Sequence, residues 1–436
     1  MATSSSPRTR MYRNRFQLPG FGLPLNFMPS PTKNKLDGIF TSSLNSPHLG
    51  TAPDRLPLTT LRELTMLNLM NRVTDMPDWH LEIFDKTIIS KRRAEALAAS
   101  QLDVSEKMLD WCVAELQHKT KLFKRTGAKI PIWNLTLTPL KSGQLNARIT
   151  YESYAYETDL GSQTNDDSRP GITRRVVQPE PGEFLPFEEP QFPVDLLKHY
   201  LTRGLQIIVK LTDIHLTPEK PVYSGDTWHV DGLLNERICA TAIYCYDRSN
   251  ISKSYIAFRQ QSNTKSAEKI VCPPSQRDWL KAVFGCEDKG PAVQDVGVIH
   301  INEGRLITWP NILQHKFQPF RLVDPTKPGH CKILTLFLVD PSIRIISTAN
   351  VPCQRKDWWI KAVRRTLPLP VELQDLIFED VGDFPIGLED ARRLKSELLT
   401  GREALAELQD EAFRDRRFSL RAETPEDNEL EGCRTM

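Results

Sequence analysis

Trp228-His229-Val230-Asp231-Gly232, joined much further along by Gln314-His315, is the stretch on which the reading of this chain turns. A His-x-Asp pair with a distant second histidine is the two-histidine, one-carboxylate facial set that holds Fe(II) and leaves coordination positions open. The spacing suits a β-strand, where residues i and i+2 point to one face and can reach one metal. Turn-forming residues precede the first histidine and strand-like sequence follows both, which places His229, Asp231 and His315 in a β-rich core as metal ligands. The competing reading of the triplet alone is a structural, hydrogen-bonded His–Asp pair, because such triplets are common.

On either side of this motif the periodicity changes. Residues 54–125 read as helical: Thr60-Leu61-Arg62-Glu63 fits a capping box, the apolar residues that follow form a helical stripe, and Pro77 stops it. A second helix is expected near 81–99 and a third behind Ser105. Residues 126–352 switch to strands rich in β-branched and aromatic residues, at Leu205–Leu211, Ile238–Tyr246, Tyr255–Phe258, Val296–Ile301, Leu306–Trp309 and Lys332–Val339. One helix, Ser275–Phe284, interrupts them. Many strands punctuated by turns predict a jelly roll or distorted barrel, so the fold class is α+β. Residues 353–420 return to helix. Residues 1–53 and 421–436 read as disordered tails. The first contains arginines among serines, glycines and prolines, and its prolines oppose the amphipathic helix of a mitochondrial presequence. Residues 150–190 read as an extended connection that could also serve as a lid over a metal site.

Composition narrows the function classes. A chain of 436 residues, 39% hydrophobic and 26% charged, can bury a large core. A net charge of +2 gives no electrostatic reason for nucleic acid or an anionic membrane as partner. No apolar run approaches the roughly 20 residues that span a bilayer. The eight cysteines are scattered without a C-x-x-C pair, which indicates neither a disulfide framework nor a zinc cluster and favours a reducing, cytoplasmic setting.

Several specific strings add a family resemblance: Gly204 to Leu211, His215-Leu-Thr-Pro-Glu-Lys-Pro221, Trp228 to Gly232, Ile238-Cys-Ala-Thr-Ala-Ile-Tyr244, Asp324-Pro-Thr-Lys-Pro-Gly-His330, Phe337-Leu-Val-Asp-Pro341 and Ser347-Thr-Ala-Asn-Val-Pro352. Together they resemble a mainly fungal domain-of-unknown-function family related to the Fe(II)/2-oxoglutarate-dependent oxygenases, from about Leu56 to Leu420. The resemblance implies a double-stranded β-helix (jelly-roll) core flanked by N- and C-terminal helices, and it carries the iron-ligand role onto His229, Asp231 and His315. It implies 2-oxoglutarate as co-substrate, dioxygen as co-reactant and oxidation of a small molecule, such as an amino acid or natural-product intermediate. Two other functions stay open: a hydroxylase of protein or peptide side chains, and a metal-binding, non-catalytic relative serving as a scaffold.

The chain departs from the family pattern in two places. Where the family motif reads Gly-His-Arg-Lys-Ile-Leu, this chain has Gly329-His330-Cys331-Lys332-Ile333-Leu334, and residues 150–190 look shorter. In such oxygenases a cation on a late strand meets the distal carboxylate of 2-oxoglutarate. With Cys331 in that place the substitutes expected are Lys332 first and Arg321 second, although alternation puts Lys332 on the face opposite Cys331, Ile333, Thr335 and Phe337. Among the remaining candidates, His300 reads as a structural strand histidine and His330 as a turn residue. Tyr244, Tyr246, Phe258, Trp309 and Phe337 read as core, Asn235 and Glu236 as a turn or as support for the ligands, and Trp358-Trp359 as helix packing.

Overall fold

The computed structural model describes residues 40, 56, 58–99, 103–126, 180–184, 196–201, 204–262, 278–346, 354–382, 385–415 and 417–418. The tails expected at 1–53 and 421–436, the connection at 150–190 and the string Ser347 to Pro352 lie wholly or mostly outside them.

The N-terminal helices start where the sequence offers caps. Thr60 and Glu63 form the expected reciprocal capping box at the head of α1 (Leu61–Thr74). Just past Pro77, Asp78 takes a left-handed conformation ahead of the short α2 (Trp79–Glu82). Asp85 then caps α3 (Lys86–Ala98), accepting from the N–H groups of Thr87 and Ile88. Met66 and Met70 of α1, Trp79 of α2, and Met108, Trp111 and Leu116 of α4 (Glu106–Thr126) bury one another in a satellite core.

One buried group in this layer carries a pH consequence. Burial pushes the Glu63 carboxyl up to about 7, although both of its bonds to Thr60 favour the charged form. Between its ordinary value and about 7 the native state therefore holds a proton that the unfolded chain has released. Stability contributed by this group is full below pH 4.5 and is lost as pH rises towards 7, by roughly 1–3 kcal/mol. Thermal midpoints measured from pH 4.5 to 8 will show this loss in the wild type and lack it in Glu63→Gln. An equal slope in both proteins would refute the assignment.

After α5 (Leu196–Tyr200) the chain enters the strands β1 (Ile207–Leu216), β2 (Val222–Tyr223), β3 (Ile238–Ser249), β4 (Tyr255–Gln261), β5 (Val293–His300), β6 (Leu306–Pro310), β7 (Gln314–Phe317), β8 (Phe320–Arg321) and β9 (Gly329–Val339). Helix α6 (Asp278–Phe284) lies between β4 and β5, and Ser275 at the expected start of this helix is outside the described residues. Every strand pair is antiparallel. They form a four-stranded sheet of order β1-β9-β3-β6, a three-stranded sheet of order β5-β4-β7 and a β2-β8 ladder. Three helices follow: α7 (Lys356–Arg364), α8 (Val371–Asp380) and the long α9 (Leu388–Asp415). The chain is thus a mixed α+β protein.

Both larger sheets feed one buried cluster. Ile243, Ile307 and Ile333 enter it from the four-stranded sheet, and Ile256, Phe258 and Ile299 from the three-stranded one. Strand β9 shows the rule most clearly. Cys331, Ile333, Thr335 and Phe337 are buried while the residues between them are partly exposed. The same alternation corrects two aromatic positions. Phe258, Trp309 and Phe337 are buried as expected, but Tyr244 and Tyr246 lie on the other face of β3 from buried Ile243 and Cys245, and Tyr246 is exposed. His330 also differs from expectation, because it belongs to β9, where its ring nitrogen pairs with Asp247 at 3.1 Å. Of the tryptophan pair, Trp359 stacks edge-on against Phe378 whereas Trp358 is exposed beneath the Arg355 guanidinium.

The helices are tied to the sheets by long-range polar contacts. The Gln294 side chain of β5 accepts from Thr59 N–H and donates to the carbonyls of Thr59 and Phe284, stitching the α1 approach to α6. Arg305, buried just before β6, pairs with Asp75 at the end of α1. Among the described residues, Cys112, Cys239, Cys245, Cys286 and Cys331 are all free and buried. No helix among the described residues is long and apolar enough to cross a membrane.

Candidate metal centre

His229 and His315 meet across an isolated antiparallel bridge, with His229 N–H donating to His315 C=O at 3.1 Å and His315 N–H to His229 C=O at 2.9 Å. His315 sits in β7, whereas residues 229–231 form no continuous strand, which corrects the expectation drawn from their spacing. Gly232 turns the chain at φ +87°, and a Cβ there would stand 2.5 Å from Ile238 Cδ1. The turn leads into a 3-10 turn at Leu234–Glu236, where Glu236 accepts from Leu233 N–H.

The bridge brings the three expected ligands together. One ligand atom from each of His229, Asp231 and His315 lies within 4.8 Å of the others, and His315 Nε2 is 3.8 Å from Asp231 Oδ2. Ligand atoms about 2 Å from a shared metal stand about 3 Å apart when cis, so the set closes on an ion by a shift of roughly 1 Å. Partners fix each group. His229 Nδ1 lies 2.8 Å from the Thr227 carbonyl, which makes it the protonated nitrogen and leaves the Nε2 lone pair for a metal. Thr241 Oγ1 donates to Asp231 Oδ2 at 2.6 Å. Asn311 holds the Asp231 backbone from both sides, accepting from its N–H at 2.9 Å and donating to its C=O at 2.8 Å.

Burial sets the charge state. His315 is 2% exposed, with its ring against His229, Trp309 and Phe258. Loss of water around it holds its pKa down to about 3, against the pull of Asp231 and with help from His229 and Lys210. The imidazole is therefore neutral near pH 7, and its Nδ1 is buried without a hydrogen-bond partner. Two imidazoles and one carboxylate make a donor set that fits a divalent first-row ion with open positions. His300 stays outside this group, stacked on Tyr255 as a structural histidine.

The candidate co-substrate cations fall elsewhere. Lys332 projects from the partly exposed row of β9 and donates to Asp247 Oδ2 at 2.7 Å, facing away from the buried row that meets the triad. Arg321 pairs across the β2-β8 ladder with exposed Val222, on the side opposite Tyr223 and buried Phe320. Cys331 points inward as alternation required, with its sulfur 3.9 Å from that of Cys245. A cation not singled out in the sequence lies nearer the site, although its side chain is exposed. Lys210 of β1 lies directly opposite Thr335, a residue of the buried row, and opposed residues share a face. It is close enough to act electrostatically on both His315 and Asp226, and it forms no ion pair with a described residue. Tyr223, pushed up to about 12 chiefly by burial, senses Asp226 and Cys331 and so belongs to the same region.

A second polar layer lies behind the histidines. Arg259 of β4 donates from Nε to Gln314 Oε1 at 2.7 Å, and its guanidinium sits 4.4 Å from the centre of the Trp228 ring. Gln314 and Trp228 are the residues immediately before His315 and His229. Arg259 is paired in turn with Asp410 of α9. A cavity of 390 Å³ opens here, lined by Trp228, Arg259, Asp410 and Arg414 among others. Another, of 460 Å³, runs between α1 and β5 and reaches Phe258, the ring that backs His315.

A β-core carrying a clustered His-Asp-His set defines a candidate metalloprotein. Residues 127–362, more than half of the chain, match the family described as "Protein of unknown function (DUF4246)", and residues 18–95 match its N-terminal domain, so the chain belongs to that family. No curated protein matches it. Among solved structures the chain is similar to a crystal structure of hydroquinone 1,2-dioxygenase PnpCD in complex with Cd2+ and 4-hydroxybenzonitrile, at 12% identity and a TM-score of 0.15. That likeness covers 32% of this chain and 62% of the other, too slight a match to argue fold or activity.

Proposed function

We propose that this protein is a non-haem iron oxygenase that binds Fe(II) through His229, Asp231 and His315 and uses 2-oxoglutarate and dioxygen to oxidise a small organic molecule. The observation that carries the reading is the convergence of two imidazoles and one carboxylate within 4.8 Å. The strand orders β1-β9-β3-β6 and β5-β4-β7, sharing one core, support a double-stranded β-helix as the scaffold.

When bound, iron would supply the dioxygen chemistry, coupling substrate oxidation to decarboxylation of 2-oxoglutarate to succinate. The protein's own part is orientation and exclusion of water. Thr227 and Thr241 fix which atoms of His229 and Asp231 present lone pairs to the ion. Phe258 and Trp309 shield the His315 ring. Lys210 replaces the family's arginine as the partner of the distal carboxylate, reaching the site from β1.

Cys331 favours one competing reading, a metal-binding protein that has lost its co-substrate site. Anaerobic titration of the Fe(II) protein with 2-oxoglutarate separates the two. Appearance of the visible charge-transfer band of chelated iron, followed by succinate on admission of air, is the expected result. Stoichiometric iron with neither band nor succinate would leave the scaffold reading in its place.

A further inference from the structure

We infer that Arg259 and Glu236, anchored by Asp410 and Arg402 of α9, are positioning residues that hold the metal-ligand segments in register; the inference rests on the metal site proposed above. The two ion pairs reach the centre from behind. Through Gln314 and Trp228, Arg259 grips the residue before each histidine with one planar group, so that a single side chain spans both strands of the His229–His315 bridge. Lys316, on the far side of His315, adds a second cation 4.8 Å from the Trp228 ring. Glu236 works on the third ligand. Its Oε2 accepts from Leu233 N–H and closes the turn that follows Asp231-Gly232, while its Oε1 accepts from Arg402 at 2.7 Å.

Both outer partners belong to one helix. Arg402 and Asp410 lie eight positions apart on α9, just over two turns, which leaves them roughly 80° apart around the helix on adjoining parts of one side. The end of the helix is fixed to the same strand as Arg259. Gln261 donates to the Phe413 carbonyl at 3.3 Å, and the Phe413 ring is 1% exposed with Arg259 5.7 Å from its centre. A buried arginine clamped between a carboxylate, an amide and an indole has one geometry open to it, because the guanidinium is planar and its donors are fixed. That rigidity is what a ligand segment lacking continuous strand pairing needs, and residues 229–231 lack it.

The test uses the full chain and Co(II) alone, whose visible absorption reports affinity and coordination geometry without co-substrate. Asp410→Asn and Arg259→Gln are expected to weaken Co(II) binding about 10- to 100-fold and to alter the Co(II) band shape. Asp410→Glu is expected to restore both, and Lys332→Gln, whose ion pair lies on the outer face, to leave both unchanged. Arg402→Gln is expected to show a smaller effect in the same direction. Thermal midpoints of the metal-free proteins are recorded alongside. A purely architectural role for these pairs would lower those midpoints while Co(II) affinity and spectrum stayed as in wild type, and that result overturns the inference. Asp410→Asn removes only a partly exposed anchor, so the experiment stands even where Arg259→Gln does not fold. Failure of the wild-type protein to bind Co(II) would instead remove the metal site itself.

Discussion

Asp231→Asn and His315→Ala each abolish stoichiometric Fe(II) binding in a protein that otherwise folds. With only three protein ligands to share the binding free energy, loss of one that is worth about 3 kcal/mol lowers affinity by roughly two orders of magnitude. Asp231→Asn is the cleaner of the two. It keeps the size of the side chain, an oxygen to accept from Thr241 and the backbone bonds to Asn311. His315→Ala empties space beside Phe258 and Trp309 and costs stability as well. Iron content after anaerobic loading and desalting, with circular dichroism as the folding control, decides the matter. Full iron retention in Asp231→Asn would mean that the cluster is a structural hydrogen-bonded group.

The second large effect concerns the co-substrate. Lys210→Ala raises the dissociation constant for 2-oxoglutarate about 5-fold, because the lysine is exposed and a solvent-screened charge pair contributes up to about 1 kcal/mol. Lys332→Ala and Arg321→Ala leave it unchanged, since the first is paired with Asp247 on the outer face and the second lies beside exposed Val222. Lys210→Arg retains most of the affinity. Titration of the charge-transfer band measures all four. A loss in Lys332→Ala with none in Lys210→Ala would reverse the assignment and require β9 to sit in another register.

The helices and strands were legible where a local rule operates. The Thr60–Glu63 box fixes the start of α1, and strict alternation along β9 separates Cys331 from Lys332 without any knowledge of the fold. The metal set was legible through spacing, although the physical cause differs from the one the spacing suggested. A bridge and a tight turn at Gly232, in place of a regular strand, present His229 and Asp231 together. Lys210 escaped notice because it sits in an apolar run where a lone lysine reads as solvent-facing, and its side chain is indeed exposed. Its direction follows only from its pairing with Thr335. Nothing local announces Arg259 either, since its partners Gln314 and Asp410 are brought to it only by tertiary folding. The two-residue strands β2 and β8 are likewise too short for a period to show.

The position of α9 also bears on how the protein comes to be made. Synthesis runs from the N-terminus, and domains assemble as their segments emerge. Both sheets and all three candidate ligands are complete by residue 339, whereas Arg402 and Asp410 emerge from the ribosome more than sixty residues later. A nascent chain thus passes through a stage with a finished β-core and an unbraced pocket, and only the emergence of α9 tightens it. If the proposed metal site and its bracing hold, a fragment ending before residue 402 keeps the sheets and binds Co(II) more weakly than the full chain.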